Sequence, residues 1–172
     1  MRFILILILL ASLGLVGRPA RATGTATAPD FAGGGSWLNT SGKALTMTGL
    51  LGKVVAVDIW TGGCINCLNT LPYIKQWDAT YRTKGLVIVG VHSPEFQYEH
   101  SQEYVQQVLA KQNITYPVVM DNDFRIWKAY RNAYWPTFYL IDKKGTIRYR
   151  QIGEGGYETT ERMIVQLLTE VN

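Results

Sequence analysis

The chain is poor in cysteine and histidine, with two of each among its 172 residues. A small secreted scaffold held by disulfides would show several cysteine pairs at varied spacings, so this class is excluded. A tetrahedral metal site would need all four residues, and His92 and His100 lack the close spacing usual in such sites. A disulfide between Cys64 and Cys67 would also add little to the stability of the fold, because the loop that it closes is minimal.

Long hydrophobic runs are scarce as well. The apolar run from Phe3 to Val16 is shorter than the roughly 20 residues that cross a bilayer. Arg2 precedes this run and Ala20-Arg21-Ala22 follows it, which is the order of a secretory signal peptide. An uncleaved N-terminal anchor is the alternative. The predicted organisation is a signal peptide (1–22), a linker (23–29) and one domain (30–172).

Charge is low and nearly balanced once the signal is set aside. The whole chain carries a net charge of +4 and only 17% charged residues. Cleavage after Ala22 would remove Arg2, Arg18 and Arg21 and leave 14 basic residues against 13 acidic ones. The basic excess therefore belongs to the export signal, and we expect no nucleic-acid partner.

What is present is a pattern of buried strands and amphipathic helices. Residues 54–60 (VVAVDIW) and 86–91 (LVIVGV) are continuous apolar runs, typical of strands covered on both faces. Residues 64–83 between them show helical spacing, so the unit is β-α-β with parallel strands. These patterns predict an α/β fold with a central mixed sheet flanked by helices.

The remaining segments extend this sheet. Residues 31–53 resemble an N-terminal hairpin with its turn at Ser41-Gly42. An insert between the second and third core strands (93–113) is predicted to be helical after Pro94, with Glu99, His100 and Glu103 on one face. The other predicted elements are a strand (116–121), a short helix (123–132), two paired strands (137–142 and 146–153) and a closing helix (158–170).

The stretch "WTGGCINCLNTLP" (60–72) holds both cysteines. Cys64 follows a strand and two glycines and opens a helix, where free backbone N–H groups and the helix dipole favour the thiolate. Cys67 lies one turn deeper on the same helix face. An exposed attacking sulfur and a buried resolving sulfur are what thiol–disulfide exchange requires.

Three further residues support this interpretation. Asp58 is a lone carboxylate inside an apolar strand, where burial would raise its pKa and suit it to accept the proton of Cys67. Pro72 interrupts the helical pattern and should kink the helix. Pro136, in "YWPTFYLI", is a candidate cis-proline, which would leave the backbone of Trp135 free to pair with an extended substrate.

These motifs together resemble the thioredoxin superfamily, and more specifically its TlpA-like, DipZ-type exported branch. The resemblance covers about residues 28–171, including "CINC…TLPYIKQW…GLVIVGVHSPEF…ITYPVVMDND…YWPTFYLID…GEGGYE". It implies a thioredoxin-like fold and a periplasmic or otherwise exported thiol–disulfide oxidoreductase. It also implies the roles of nucleophile for Cys64, resolving cysteine for Cys67, buried acid for Asp58 and cis-proline for Pro136.

Further expectations follow from the same resemblance. The substrates are protein thiols and disulfides, which Trp135, Thr137 and Gly63 would contact. We expect reduction of substrates, no cofactor, a separate membrane electron donor and a monomer. A disulfide oxidase or isomerase on the same site and a metal- or thiol-handling assembly factor are the alternatives.

Two groups of residues around this site have weaker signals. His92 and Glu95 follow the second strand, and we expect them to lie in a solvated loop. The alternative is that one of them modulates the reactivity of the thiols or contacts the substrate. Trp127, Tyr130, Tyr134 and Trp135 form an aromatic cluster that is expected to be mostly core, with Trp135 at the edge of a substrate groove.

Overall fold

The computed structural model describes residues 26–171. The predicted signal peptide and the first three residues of the predicted linker lie outside the described residues. Thr27 forms a β-bridge with Thr146, and Ala28 is buried and donates its N–H to the carbonyl of Gly145. The described chain therefore packs against the domain from its first residues.

A six-stranded sheet organises the described residues. The strands are β1 Trp37–Leu38, β2 Val54–Trp60, β3 Leu86–His92, β4 Val118–Met120, β5 Thr137–Ile141 and β6 Ile147–Ile152. Their order in the sheet is β1-β4-β3-β2-β5-β6. β2 lies inside the sheet, parallel to β3 and antiparallel to β5. β4 is parallel to β3, whereas β1 and β6 are antiparallel edge strands.

Within residues 26–171, four α-helices and three short 3-10 turns accompany the sheet, so the predicted thioredoxin-like mixed sheet flanked by helices is confirmed. The helices are α1 Ile65–Tyr81, α2 Gln102–Gln112, α3 Arg125–Ala129 and α4 Tyr157–Thr169. The 3-10 turns are Thr48–Leu50, Arg82–Lys84 and Gln97–His100. Pro72 lies within α1, as predicted.

β2 separates two hydrophobic cores because alternate side chains point to opposite faces of the sheet. Ala56 and Trp60 join the larger core with residues of α1 and α4. Val57 and Ile59 join the smaller core with residues of α3 and the N-terminal segment. All seven residues of β2 are buried, which explains their nearly continuous apolar character.

The predicted N-terminal hairpin is wrong. Only Trp37–Leu38 forms a strand, and its partner is β4, with Trp37 opposite Val119. Asn39 ends β1 in a left-handed conformation, and its side-chain amide donates to the carbonyls of Ile114 and Tyr116. Pairing with a strand edge of the sheet buries Leu38, which a two-stranded hairpin on the surface could not do as well.

The insert (residues 93–113) is also divided differently from the prediction. It forms the 3-10 turn Gln97–His100 and then α2, with Ser101 as the N-cap of α2 through a hydrogen bond from Tyr104 N at 3.3 Å. Glu99 is buried in the turn, whereas Glu103 is exposed on α2. The prediction that Glu99, His100 and Glu103 share one helical face is therefore wrong. Ser101 is the N-cap of α2, so Glu99 and His100 lie in the preceding turn and only Glu103 lies on the helix.

Candidate active site

The chain leaves β2 at Trp60, passes through Thr61-Gly62-Gly63 and enters α1 at Cys64. Cys64 is the N-cap of α1, in an extended conformation, and its Sγ accepts a hydrogen bond from Cys67 N at 3.3 Å. Cys64 is half-buried and Cys67 fully buried, and both are free thiols. The predicted order of an accessible first sulfur and a covered second one is present.

The environment of Cys64 favours its ionised form. A hydrogen bond from the Cys67 thiol, aided by the backbone N–H groups of Cys67 and Asn66, lowers the pKa of Cys64 from 9.0 to about 7. Partial burial and the carboxylate of Glu95 act in the opposite direction. A large fraction of Cys64 is thus thiolate at neutral pH.

Cys67 has the opposite character. Burial raises its pKa well above the ordinary value, and its hydrogen bond to Cys64 and the charges of Cys64 and Asp58 raise it further. Cys67 therefore holds its proton until a base removes it.

Asp58 lies on β2 between Gly90 of β3 and Phe138 of β5, on the face that carries Cys67. It is 1% exposed, and neither carboxylate oxygen has a hydrogen-bond partner among residues 26–171. Burial, and secondly the charge of Cys64, raises the pKa of Asp58 from 3.8 to about 7. At neutral pH such a carboxyl group both accepts and releases a proton readily.

Asp58 also lines a narrow cleft between α1, α4 and the β5–β6 hairpin. Thr70, Pro136 and Tyr157 are among the other residues of this cleft. The carboxyl group of Asp58 thus lies at the wall of this cleft and is itself covered from solvent.

The peptide bond between Trp135 and Pro136 is cis, as the sequence led us to expect. Trp135 is half-buried and its indole N–H donates to the carbonyl of Ser93 at 3.0 Å. Thr137 is 1% exposed, and its hydroxyl donates to the carbonyl of Tyr134 at 2.8 Å. The Thr137 side chain therefore holds the loop together from inside.

The aromatic cluster is only partly core. Trp127 and Trp135 are in contact, with ring centroids 4.3 Å apart, and Tyr130 is buried. Tyr134, however, is 61% exposed, because the loop before Pro136 turns it outward. Ile65, between the cysteines, is 66% exposed.

The two residues after β3 have different environments. Glu95 is exposed, as expected, but His92 is completely buried. Burial lowers the pKa of His92 to about 4, so its ring is neutral, with Nε2 3.5 Å from Thr61 Oγ1. The ring packs edge-on against Trp60, which explains why a polar residue ends a buried strand.

The sequence reasoning missed the role of Glu99 beside the site. Its carboxylate accepts hydrogen bonds from Gly63 N at 2.6 Å, Glu95 N at 2.7 Å and Phe96 N at 2.9 Å. A glutamate three residues after Phe96 is the spacing of an acid that caps its own turn, and this was the available signal. The bond to Gly63 has no signal in the sequence.

Metal ligands do not converge in the described part of the chain. Within residues 26–171, no three side chains of His, Cys, Asp or Glu are arranged to hold a metal ion. Over the same residues, no helix combines the length and apolar character of a membrane span.

The fold and the cysteine pair define a thioredoxin-like thiol–disulfide oxidoreductase domain. A sequence model described as Redoxin matches residues 23–168. The chain belongs to the Redoxin family, and the resemblance to TlpA-like and DipZ-type domains is confirmed.

Named relatives agree with this assignment. Protein DipZ of Mycobacterium bovis is 43% identical over 145 residues, which make up 84% of this chain and 21% of DipZ. The thiol-disulfide oxidoreductase YkuV of Bacillus subtilis is 28% identical over 143 residues, 83% of this chain and 94% of YkuV. The chain thus spans about a fifth of the DipZ proteins that it matches.

Solved structures share the fold. The crystal structure of a thiol-disulfide isomerase from Corynebacterium glutamicum has a TM-score of 0.73 and 25% identity, and the match covers 84% of this chain and 98% of that one.

Proposed function

We propose that this protein is an exported protein-disulfide reductase that acts through Cys64 and Cys67. The observation that supports this most directly is the contrast between the two thiols: Cys64 is accessible with a pKa of about 7, and Cys67 is buried with a raised pKa. Asp58, with a pKa of about 7, lies on the same face of the sheet as Cys67 and completes the set of groups.

The first step is attack by the Cys64 thiolate on a disulfide of a partner protein. A bond forms between Cys64 and one substrate sulfur, and the other substrate sulfur leaves as a thiolate that takes a proton from water. The helix N-terminus stabilises the Cys64 thiolate before attack.

The second step is resolution of this mixed disulfide. Cys67 transfers its proton to Asp58 and attacks the Cys64 sulfur, which forms the Cys64–Cys67 disulfide and releases the second substrate thiolate. The substrate gains two electrons and two protons in all. Asp58 then loses its proton.

The pKa of Cys64 supports the reducing direction. Strong disulfide oxidants of this fold have an attacking cysteine with a pKa of about 3.5, because a very stable thiolate favours the reduced form. A value of about 7 gives the reduced form less stabilisation. We therefore expect a reduction potential nearer to about −270 mV than to about −120 mV.

The surface around Cys64 suits an extended, partly apolar substrate segment. Ile65, directly after Cys64, and Tyr134 are exposed, and Trp135 precedes the cis-proline. The side chain of Trp135 and the backbone at Gly63 are the proposed contacts, with Thr137 acting as support from within the loop.

Export, the electron donor and the monomeric state are part of the same proposal. The signal-peptide pattern of residues 1–22 supports export, and the mature chain would begin at Thr23. An exported reductase is oxidised at the end of each turnover and needs an electron donor to reduce it again. A separate membrane protein is the proposed donor.

Single cysteine variants test the assignment in an insulin-reduction assay. Cys64→Ala should abolish turnover, whereas Cys67→Ala should accumulate a covalent adduct with the substrate because nothing resolves it. The adduct is measured by mass spectrometry under non-reducing conditions. Activity that persists in Cys67→Ala without adducts would contradict the roles given to the two thiols.

A further inference from the structure

The loop before Cys64 has little stiffness of its own. Two glycines, Gly62 and Gly63, connect Thr61 to the nucleophile, and glycine has more backbone freedom than any other residue. Cys64 nonetheless keeps the N-cap conformation in which its sulfur receives the N–H of Cys67. Contacts from elsewhere must therefore hold the loop.

Glu99 supplies such a contact from a distant part of the chain. One carboxylate oxygen accepts from Gly63 N at 2.6 Å, and the other accepts from Glu95 N and Phe96 N at 2.7 and 2.9 Å. The side chain thus binds its own turn with one oxygen and the residue before the nucleophile with the other. Glu99 is fully buried, so water does not compete for these bonds.

The fit between the two segments depends on glycine at position 63. A Cβ atom there would lie 2.8 Å from Glu99 Oε1 and 2.9 Å from the hydroxyl of Tyr98. The missing side chain therefore allows the carboxylate to reach the backbone N–H.

Glu99 keeps its charge in this position. Burial alone raises its pKa, but hydrogen bonds from the Thr61 hydroxyl and from the N–H groups of Phe96, Glu95 and Gly63 outweigh this effect and lower the pKa below 4.5. An ionised acceptor makes stronger hydrogen bonds than a neutral one.

We infer that Glu99 is a positioning residue for Cys64, which ties the diglycine loop to the insert and so maintains the N-cap geometry of the nucleophile. This inference rests on the proposal that Cys64 is the attacking thiol. Without the bond to Gly63, the sulfur of Cys64 would lose the Cys67 N–H for part of the time, and its thiolate would become less stable.

Glu99→Asp is the decisive variant because it keeps the charge. The side chain is one methylene shorter, so it can stay bound to its own turn but cannot also reach Gly63. Loss of charge, as in Glu99→Ala, would by itself favour the thiolate and obscure the result. The measured quantity is the pKa of Cys64, from the pH dependence of iodoacetamide alkylation, since this small reagent needs no substrate groove.

We expect the pKa of Cys64 to rise by about one unit in Glu99→Asp. The alkylation rate at pH 7 should then fall by about fivefold and recover to nearly the wild-type rate at pH 9, because the thiolate fraction is restored. A variant that is merely less stable would not show this recovery at high pH.

Gly63→Ala provides a second, independent variant, since it displaces the Glu99 carboxylate while leaving the acid in place. We expect the same shift in pKa. Glu103→Asp, an exposed acid on α2, and Gly35→Ala, where a Cβ meets nothing closer than 3.4 Å, are the matched controls and should match wild type.

The outcomes separate this inference from the proposed function. Unchanged Cys64 pKa in folded Glu99→Asp or folded Gly63→Ala would overturn the positioning role, and so would an equal shift in Glu103→Asp. If Glu99→Asp does not fold, Gly63→Ala decides. Failure of the proposed function would appear instead in the wild-type protein, as an alkylated cysteine other than Cys64.

Discussion

At the scale of single residues, the site depends on ionisable groups whose environments displace their pKa values from the ordinary ones. Cys64 and Asp58 both have a pKa of about 7, but their pKa values are shifted in opposite directions. Hydrogen bonds lower the pKa of the Cys64 thiol, and burial raises the pKa of the Asp58 carboxyl group. Asp58 can therefore both accept and release a proton at neutral pH. The cost of this arrangement falls on Asp58, which is ionised in a buried position.

This cost predicts how stability depends on pH. The folded-state pKa of Asp58 is raised from 3.8 to about 7, so the folded protein binds the proton more tightly than the unfolded chain does. The resulting stabilisation is complete below about pH 4 and is lost as the pH rises through about 7. Between pH 5 and pH 7, reduced wild type should lose roughly 2 to 3 kcal/mol of unfolding free energy that Asp58→Asn retains, measured by urea denaturation.

A kinetic measurement on the same variant separates function from stability. Asp58→Asn should fold normally yet resolve the mixed disulfide more slowly, because the amide cannot accept the proton of Cys67. Stopped-flow rates that equal those of wild type from about pH 6 to 9 would reject Asp58 as proton acceptor.

At the scale of secondary-structure elements, the short helix α3 depends on one buried carboxylate. Asp121 accepts hydrogen bonds from Ile126 N at 3.0 Å and Trp127 N at 2.8 Å, and also from the Ser93 hydroxyl at 3.2 Å. It satisfies N–H groups of the first turn in the way an N-cap does, although Phe124 occupies the N-cap position. Asp121 therefore connects α3 with the segment after β3.

We expect Asp121→Ala to lower the free energy of unfolding by about 2 kcal/mol, since buried donors lose their acceptor. Chemical denaturation of the two aspartate variants makes the comparison direct. Asp123→Ala is the control, because Asp123 is exposed and its contact with Arg125, at 3.6 Å, is a surface ion pair. Equal stability of the two variants would show that the bonds of Asp121 contribute nothing to stability.

Prediction of the elements from sequence succeeded where the signal was local. The buried strands β2 and β3, the helix after Cys64 and the β5–β6 pair all follow from hydrophobic spacing over a few residues. The N-terminal hairpin failed because its short strand has a better partner, β4, about 80 residues away in the chain. The single helix over the insert failed because Ser101 is an N-cap, which periodicity alone does not reveal.

At the scale of the whole molecule, the two cores cover both faces of β2, and the site lies where this strand ends. The reduction potential is a property of the complete domain, because it reflects the difference in free energy between the dithiol form and the disulfide form of the folded protein. Below about pH 7, reduction takes up two protons; above it, Cys64 stays ionised and Cys67, with its raised pKa, takes up one.

The potential should therefore fall by about 59 mV per pH unit below pH 7 and by about 30 mV per unit above it. Redox titration against dithiothreitol from about pH 5.5 to 9 would measure both slopes. Asp58→Asn serves as the control and should keep the change of slope, because the change belongs to Cys64. A single slope of about 59 mV up to pH 9 would mean that Cys64 remains protonated throughout.

The sequence by itself determined the chemistry and the main architecture of this protein. The spacing of Cys64 and Cys67, the two glycines before them and the lone acid in an apolar strand are local features, so the order of residues is enough to recognise them. The tertiary structure alone decided which groups surround the thiols. Glu99 meets Gly63 across 36 positions of the chain, and His92 is buried against Trp60. Such contacts depend on how separate elements pack, because burial and hydrogen bonding between distant residues leave no periodic pattern in the sequence.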